Sequence, residues 1–152
     1  MIYVGADHGG FALKEQLKQW LTAWQMPWVD VGAKTLDSED DYPEFAFAVA
    51  EAVAQQPNEH RGILACRSAA GVVIAANKVV GVRAVAPLTV EAAQHAREHN
   101  NANVIGLSGD WLTASAVQEI VKQWLATPFS EAERHQRRIN QITVYEQAHR
   151  KQ

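Results

Sequence analysis

The stretch of sequence that decides the fold is Gly62-Ile63-Leu64-Ala65-Cys66-Arg67-Ser68-Ala69-Ala70-Gly71. It opens with an apolar run, typical of a buried strand, and continues into small residues that suit a buried helix. Cys66 therefore lies at a junction between a strand and a helix. In open parallel sheets, ligands bind beyond the carboxyl ends of strands, and the first N–H groups of the next helix attract negative charge. This position favours a thiolate, although a free cysteine is about as often an inert, buried side chain.

Strands and helices alternate along the whole chain. The apolar runs predict five strands near residues 2–4, 28–31, 62–65, 82–86 and 103–107. The helical spacing predicts six helices near residues 11–24, 43–55, 72–78, 90–100, 113–126 and 130–149. We expect the first strand to break at Gly5, Thr89 to cap the fourth helix, and residues 130–133 to form a capping box. This alternation predicts an α/β fold, a parallel sheet with helices on both faces and right-handed crossovers.

Composition narrows the class of protein. The chain has 152 residues, 47% of them hydrophobic, which is enough for one core, so we expect a single domain over residues 1–152. A net charge of −3 gives no sign of nucleic-acid binding. The single cysteine excludes an intramolecular disulfide and fits a reducing, cytoplasmic setting. The sequence has no basic leader before a long apolar stretch and no run long enough to span a membrane, so we expect no membrane partner.

Polar residues follow several of the predicted strands. Asp7 and His8 come after the first strand, Cys66 and Ser68 after the third, and Asp110 after the fifth. Because the carboxyl ends of parallel strands meet at one edge of a sheet, we expect these side chains to lie near one another.

Two helices carry further polar candidates. His99 and Asn100 close the fourth helix, and Arg134 and Arg138 lie four residues apart on the last one. That spacing places both guanidinium groups on one helical face, where they could grip a phosphate. The alternative is a solvated charged face that pairs with neighbouring glutamates, which the arginines alone would favour.

Six segments together resemble the type B ribose-5-phosphate isomerase family, and they cover essentially the whole chain: GADHGGFALKEQL (5–17), DYPEFA (41–46), ACRSAAGVVIAANK (65–78), GVRAV (81–85), REHNNANVIGL (97–107) and FSEAERHQRRI (129–139). The family includes galactose-6-phosphate isomerase subunits and allose-6-phosphate isomerases. Its members interconvert phosphorylated aldoses and ketoses without a metal or an organic cofactor. The resemblance implies a Rossmann-like three-layer α/β/α domain with a five-stranded sheet. It also implies a homodimer with active sites between protomers and a C-terminal helix that packs on the partner, and it leaves open whether two dimers pair into a tetramer.

The resemblance also implies the chemistry of the site. Cys66 matches the base that moves a proton between C1 and C2 through a cis-enediolate, and His99 matches the histidine that opens the sugar ring. The hydroxyl of Ser68 would stabilise the enediolate together with the N–H groups of Ala69, Ala70 and Gly71.

The remaining matches concern substrate binding. Sugar hydroxyls are expected at Asp7, Tyr42 and Asn100. The phosphate is expected at His8, Arg134 and Arg138. Asn77 matches a residue that lines the site, but a structural cap at the end of a helix is an equal alternative for it.

Three positions depart from the family pattern. Most members carry Gly-Thr-Gly-Ile-Gly after the cysteine, where this chain has Arg67 and Ala69 in place of two glycines. A left-handed glycine cannot become alanine without strain, so either the loop differs or these positions are not left-handed. Asp110 stands where members commonly have a phosphate-binding arginine. We therefore expect Arg67 either to pair with Asp110 or to bind the anion itself.

Three other functions remain as alternatives. Residues His95, Glu98 and His99 fit the H-x-x-E-H spacing of inverted zinc peptidases, although no third ligand is evident. The segment 5–10 follows a strand but lacks the G-x-G-x-x-G pattern of dinucleotide-binding proteins. A non-catalytic or differently specific subunit that binds a tetrose or hexose phosphate is the main rival. The presence of both Cys66 and His99 favours instead a metal-free, cofactor-free isomerase that acts on ribose 5-phosphate.

Overall fold

The centre of the protein is a sheet of five parallel strands in the order β2-β1-β3-β5-β4. The structure is a computed structural model that describes residues 1–149, so the last three residues of the expected 1–152 domain lie outside it. The strands are β1 (Ile2–Ala6), β2 (Trp28–Asp30), β3 (Arg61–Cys66), β4 (Ala84–Val85) and β5 (Val104–Ser108). The helices are α1 (Phe11–Ala23), α2 (Tyr42–Ala54), α3 (Ala70–Ala76), α4 (Val90–Asn100), α5 (Ala114–Ala126) and α6 (Glu133–Ala148).

Helices cover both faces of the sheet, which confirms the three-layer α/β/α prediction. Successive side chains of a strand point to opposite faces, and β3 shows this clearly. Ile63 and Ala65 pack in one core with residues of α1, α4 and α5. Leu64 and Cys66 pack in the other core with residues of α2 and α3. Cys66 is therefore the last residue of β3 and faces the α2 and α3 layer.

The prediction that the first strand breaks at Gly5 is wrong. The strand continues to Ala6. A Cβ atom at Gly5 would lie 2.7 Å from a methyl group of Val49 on α2. Gly5 thus lets α2 pack closely on the sheet while the backbone keeps its strand conformation.

The fourth strand is shorter than predicted and covers only two residues. Asparagine side chains take the place of strand partners around it. The backbone N–H of Arg83 donates to Oδ1 of Asn103, and that of Ala84 donates to Oδ1 of Asn77. Pairing along this edge is therefore completed by side chains, which an apolar pattern does not reveal.

The predicted capping box at residues 130–133 is wrong. The N-cap of α6 is Ala132, without a side-chain capping bond, whereas Thr89 caps α4 as expected. The hydroxyl of Ser130 lies 2.7 Å from Nδ1 of His135, and its backbone N–H donates to the carbonyl of Glu98. These bonds fasten the start of α6 to the end of α4.

Within residues 1–149, no helix has both the length and the apolar character needed to cross a membrane.

Candidate active site

The carboxyl ends of β1 and β3 lie side by side, and the chain leaves these two strands toward opposite edges of the sheet. Such a switch point is where open α/β sheets bind ligands. Asp7 follows β1 and Cys66 ends β3, and Sγ of Cys66 lies 3.6 Å from Oδ2 of Asp7. The other oxygen of Asp7 accepts a hydrogen bond from the N–H of Gly10. A side chain on Gly10 would overlap the carbonyl of Ala65, so glycine there allows α1 to begin directly against β3.

The thiol of Cys66 is buried, and its surroundings favour the protonated form. Burial raises its pKa above the usual value, and the charge of Asp7 raises the pKa further. Hydrogen bonds from the backbone of Arg67 and Ala69 act in the opposite direction but do not outweigh them. The direction of this shift runs against the expectation that the position by itself favours a thiolate.

The loop after Cys66 contains a strained residue. Ala69 has φ +66° and ψ −11°, a left-handed conformation that favours glycine, whereas Arg67 is not left-handed. The hydroxyl of Ser68 accepts from the N–H of Ala70 at 3.3 Å, so this N–H is already engaged. Tyr42 lies over Gly71, where a Cβ atom would come within 2.7 Å of the tyrosine ring. The loop thus keeps a glycine-type conformation at Ala69 despite the substitution.

Arg67 and Asp110 are neighbours through their backbones only. The N–H of Asp110 donates to the carbonyl of Arg67 at 3.1 Å, and the hydroxyl of Ser108 donates to the same carbonyl at 2.6 Å. Their side chains form no ion pair among residues 1–149, so the pairing expected within one chain is wrong. The Arg67 side chain instead packs against Gly9, next to His8.

His8 is held by a residue that the sequence did not single out. Its Nδ1 lies 2.6 Å from Oδ1 of Asp40, and its backbone N–H donates to the same oxygen at 2.9 Å. The pKa of His8 is raised, chiefly by this hydrogen bond and further by the charges of Asp7 and Asp40. Asp40 was part of a polar loop in the sequence, and no local pattern marks it.

Asp7, His8 and Asp40 form the one group of three possible metal ligands found in residues 1–149. Their ligand atoms lie within 4.8 Å of one another. His95, Glu98 and His99 are not part of any such group, and a third ligand for a zinc peptidase is missing from the described part of the chain. That alternative loses its structural basis.

A second group of predicted site residues lies elsewhere. His99, Asn100 and Arg138 line a cavity of about 500 Å³ between α4, β4 and α6, which Asn77 also lines. None of the residues around Cys66 lines it. We call the first set the strand-end group; it consists of Asp7, His8, Tyr42, Cys66, Arg67, Ser68, Ala69, Ala70 and Gly71. We call the second set the α4–α6 group; it consists of Asn77, His99, Asn100, Arg134 and Arg138.

The imidazole ring of His99, a member of the α4–α6 group, contacts two further imidazole rings. The ring of His99 lies 3.9 Å from that of His95 and stacks on that of His135 at 4.3 Å, measured between centroids. Burial, followed by the nearby His99 and arginines, lowers the pKa of His135. Because a guanidinium group can only donate, Nε2 of His135 accepts from Arg134, and Nδ1 then donates to the hydroxyl of Ser130. His135 was not among the predicted site residues, although it lies within a quoted motif.

Arg97 fixes the end of α4, which carries His99 and Asn100. Its buried guanidinium donates to the carbonyls of Thr127 and Ala102 and to Oδ1 of Asn101. Burial lowers its pKa to about 10, and among residues 1–149 no carboxylate lies within ion-pair distance of it.

Asn77 also has a structural role, because its side-chain amide makes two hydrogen bonds to the backbone of Ala84. Asn77 occupies the C-cap position of α3, as the structural alternative expected, but its side chain bonds to β4 and not to the end of the helix. Contact with substrate stays a prediction.

Several known proteins are similar to this chain in sequence and in fold. Residues 2–142 match the Ribose/Galactose Isomerase family. The ribose-5-phosphate isomerase B of Mycolicibacterium paratuberculosis is 43% identical over 148 residues, which are 97% of this chain and 92% of that protein. The crystal structure of ribose-5-phosphate isomerase B from Mycoplasma genitalium with bound ribulose-5-phosphate superposes with a TM-score of 0.93 at 42% identity, covering 96% of this chain and 95% of that one. The type B enzyme of Trypanosoma cruzi gives a TM-score of 0.91 at 41% identity over 97% of this chain and 99% of that one. With a matched fold, near-complete coverage and a cysteine at the sheet's switch point, this chain belongs to the Ribose/Galactose Isomerase family.

Proposed function

We propose that the protein is an aldose–ketose isomerase that interconverts D-ribose 5-phosphate and D-ribulose 5-phosphate. The observation that carries the proposal is the contact between Cys66 and Asp7 at the switch point, in a fold shared over 96% of the chain with a relative that holds ribulose-5-phosphate. Relatives with the name ribose-5-phosphate isomerase B favour this activity over a non-catalytic subunit.

Cys66 acts as the base that transfers the proton. Its thiolate takes the proton from C2 of the open aldose, and the electron pair moves to form an enediolate. The protonated thiol then returns this proton to C1, while the hydroxyl proton on O2 passes to O1. C2 thereby becomes the carbonyl carbon of the ketose, and the thiolate is restored. A substrate hydroxyl that donates to Asp7 would offset the charge that opposes the thiolate.

The loop after Cys66 supplies hydrogen-bond donors for the enediolate. Among the described residues, the free donors there are the hydroxyl of Ser68 and the N–H of Gly71. The N–H of Ala69 bonds to the sulfur of Cys66 and can turn to the enediolate when substrate binds. The N–H of Ala70 becomes available only when Ser68 releases it.

His99 opens the furanose ring by moving a proton from the anomeric hydroxyl to the ring oxygen. Asn100 and Tyr42 bind sugar hydroxyls. His8, Arg134 and Arg138 bind the phosphate, and Arg67 adds a cation beside His8.

No metal or organic cofactor is needed for this chemistry, and the reaction takes place in the cytoplasm.

The active form is a homodimer with shared sites. Within one chain, the strand-end group and the α4–α6 group do not line a common cavity. The α4–α6 group of the partner subunit therefore completes the strand-end group. Near its end, helix α6 carries three exposed apolar side chains: Ile142, Val144 and Tyr145 are 51%, 64% and 65% exposed. Exposed apolar side chains of this kind are suited to packing against the partner subunit.

The test is a panel of aldose phosphates with four, five and six carbons, assayed for ketose formation in the presence of EDTA. We expect ribose 5-phosphate to give the highest kcat/KM, with no loss on chelation. A preference for a tetrose or hexose phosphate would contradict the substrate. Absence of any ketose would support the non-catalytic subunit, and dependence on an added metal would contradict the cofactor-free reaction.

A further inference from the structure

Asp40 is the only carboxylate in hydrogen-bond contact with His8 in residues 1–149. Oδ1 accepts from the ring Nδ1 at 2.6 Å and from the backbone N–H at 2.9 Å. Two bonds to one oxygen fix both the position of the residue and the plane of its ring. The two residues are 32 positions apart, and the contact arises because the loop before α2 folds over the end of β1.

The Asp40 carboxylate is largely buried, and only one of its two oxygens forms hydrogen bonds. Its side chain is 10% exposed, whereas that of His8 is 32% exposed. Oδ2 of Asp40 is buried and has no hydrogen-bond partner in the described part of the chain. A buried carboxylate with one free oxygen is costly unless a positive charge compensates it, and His8 is the group in contact that can carry that charge.

The other ring nitrogen of His8 faces away from this contact. Nε2 makes no hydrogen bond to any of residues 1–149 and belongs to a half-exposed side chain. When Nδ1–H donates to Asp40 and the ring is protonated, Nε2–H is a charged donor available to an anion.

We propose that Asp40 is a positioning residue that holds the His8 ring as a charged donor for the phosphate of the substrate. This inference rests on the proposed function, because it assumes that His8 meets the phosphate. The inference adds that Asp40 determines the strength of the contact between His8 and the phosphate and the pH up to which this contact persists.

Most of the charged groups around His8 favour its protonated form. Asp40 from the loop before α2 and Asp7 from its own loop both raise its pKa, whereas burial lowers it. Arg67 from the loop after β3 packs against Gly9. A guanidinium group close to the imidazole ring of His8 would lower the pKa of that ring. The hydrogen bond to Asp40 is the largest of these effects.

The pH dependence follows from the sign of this shift. A raised pKa keeps His8 protonated until the pH passes that raised value. Without the carboxylate, His8 loses its proton near the ordinary value of about 6.5. Between these two pH values, the protein with Asp40 has a charged donor and the variant without it has a neutral ring.

The experiment compares the wild type with Asp40→Asn at pH 6 and pH 8, with Glu39→Gln as the matched control. The control removes the same charge one residue away, from an exposed side chain. KM for ribose 5-phosphate and the inhibition constant of inorganic phosphate are measured. We expect Asp40→Asn to raise both constants more at pH 8 than at pH 6, by up to about fivefold, since a hydrogen bond from a charged donor exceeds one from a neutral donor by about that factor. kcat should change little, and Glu39→Gln should behave as the wild type.

Two results would overturn the proposal. One is a KM that falls on loss of Asp40, because a carboxylate that simply repels the phosphate would have that effect. The other is a rise that is the same at both pH values, which a purely structural role would give.

A second measurement does not depend on the folding of the variant. The imidazole proton resonance of His8 in the wild type, identified by its absence in His8→Gln, is titrated by NMR. A midpoint above 6.5 supports the proposal, and a midpoint at or below 6.5 contradicts it. If the wild type forms no ketose, the proposed function fails, whereas the pH dependence of inorganic phosphate binding still decides the role of Asp40.

Discussion

The thiol of Cys66 lies 3.6 Å from the carboxylate of Asp7, although 59 positions separate the two residues in the sequence. The parallel pairing of β1 with β3 creates this contact, because it aligns Ala6 with Ala65 and brings the two following residues together. The contact places the proposed base beside a negative charge. Asp7 therefore influences both the binding of the sugar and the pH at which Cys66 becomes a thiolate.

Replacement of Asp7 by Asn should make the thiol more acidic. Asp7 raises the pKa of Cys66, so removing its charge lowers that pKa, and the thiolate forms at lower pH. Because Cys66 is the only cysteine, the rate of its alkylation by iodoacetamide as a function of pH measures this directly. The control is Glu119→Gln, which removes one exposed charge on α5. An unchanged alkylation profile in Asp7→Asn would contradict the electrostatic role of Asp7.

Cys66→Ser and His99→Ala should each lose activity, and mixing them should restore part of it. Loss of a positioned base typically costs about 10²–10⁴-fold in rate, so each pure variant should be nearly inactive. If sites are shared, a heterodimer contains one site free of both changes. Refolding an equal mixture should then recover about a quarter of the wild-type activity, because half of the dimers are mixed and half of their sites are intact. Thermal unfolding of each variant serves as the control for folding, and a mixture that stays inactive would contradict the shared site.

Ala69→Gly should stabilise the protein. A left-handed alanine costs about 1–2 kcal/mol, whereas added glycine freedom in the unfolded chain costs about 0.4–1 kcal/mol, so the net gain in the free energy of unfolding is up to about 1.6 kcal/mol. Ala70→Gly is the matched control, because Ala70 is not left-handed and should only lose stability. Urea denaturation measures both changes. A less stable Ala69→Gly variant would show that Ala69 carries no strain.

Arg67→Ala should weaken substrate binding, and Asp110→Ala should strengthen it. The Arg67 side chain lies against Gly9, beside the proposed phosphate donor His8, so its loss removes a cation there and should raise KM about tenfold. Asp110 adds a nearby negative charge, and its loss should lower KM. Because the side chains form no ion pair within one chain, the effects of the two changes on the free energy should add in the double variant. A double variant that is milder than the sum would instead indicate that Arg67 pairs with Asp110 of the partner subunit.

The sequence by itself determined the order of the elements, the parallel sheet and the family. The apolar character of a strand is a local property of the sequence. It is evident in short segments such as 62–65 and 104–107, which form continuous apolar runs because both faces of the strand are buried. Motifs around Cys66 and His99 also lie within single segments. Candidate site residues could therefore be named without the fold.

Only the tertiary structure decided which of these residues meet. The contacts of Cys66 with Asp7 and of His8 with Asp40 join segments that are far apart in the chain, and no local pattern encodes them. The same holds for the short β4, whose backbone bonds to two asparagine side chains, and for Ala69, whose conformation is imposed by its loop. Charge states follow these contacts, because burial and neighbouring charges set the pKa of a side chain. The sequence named the groups of the site, and the packing of distant segments set their partners and their chemistry.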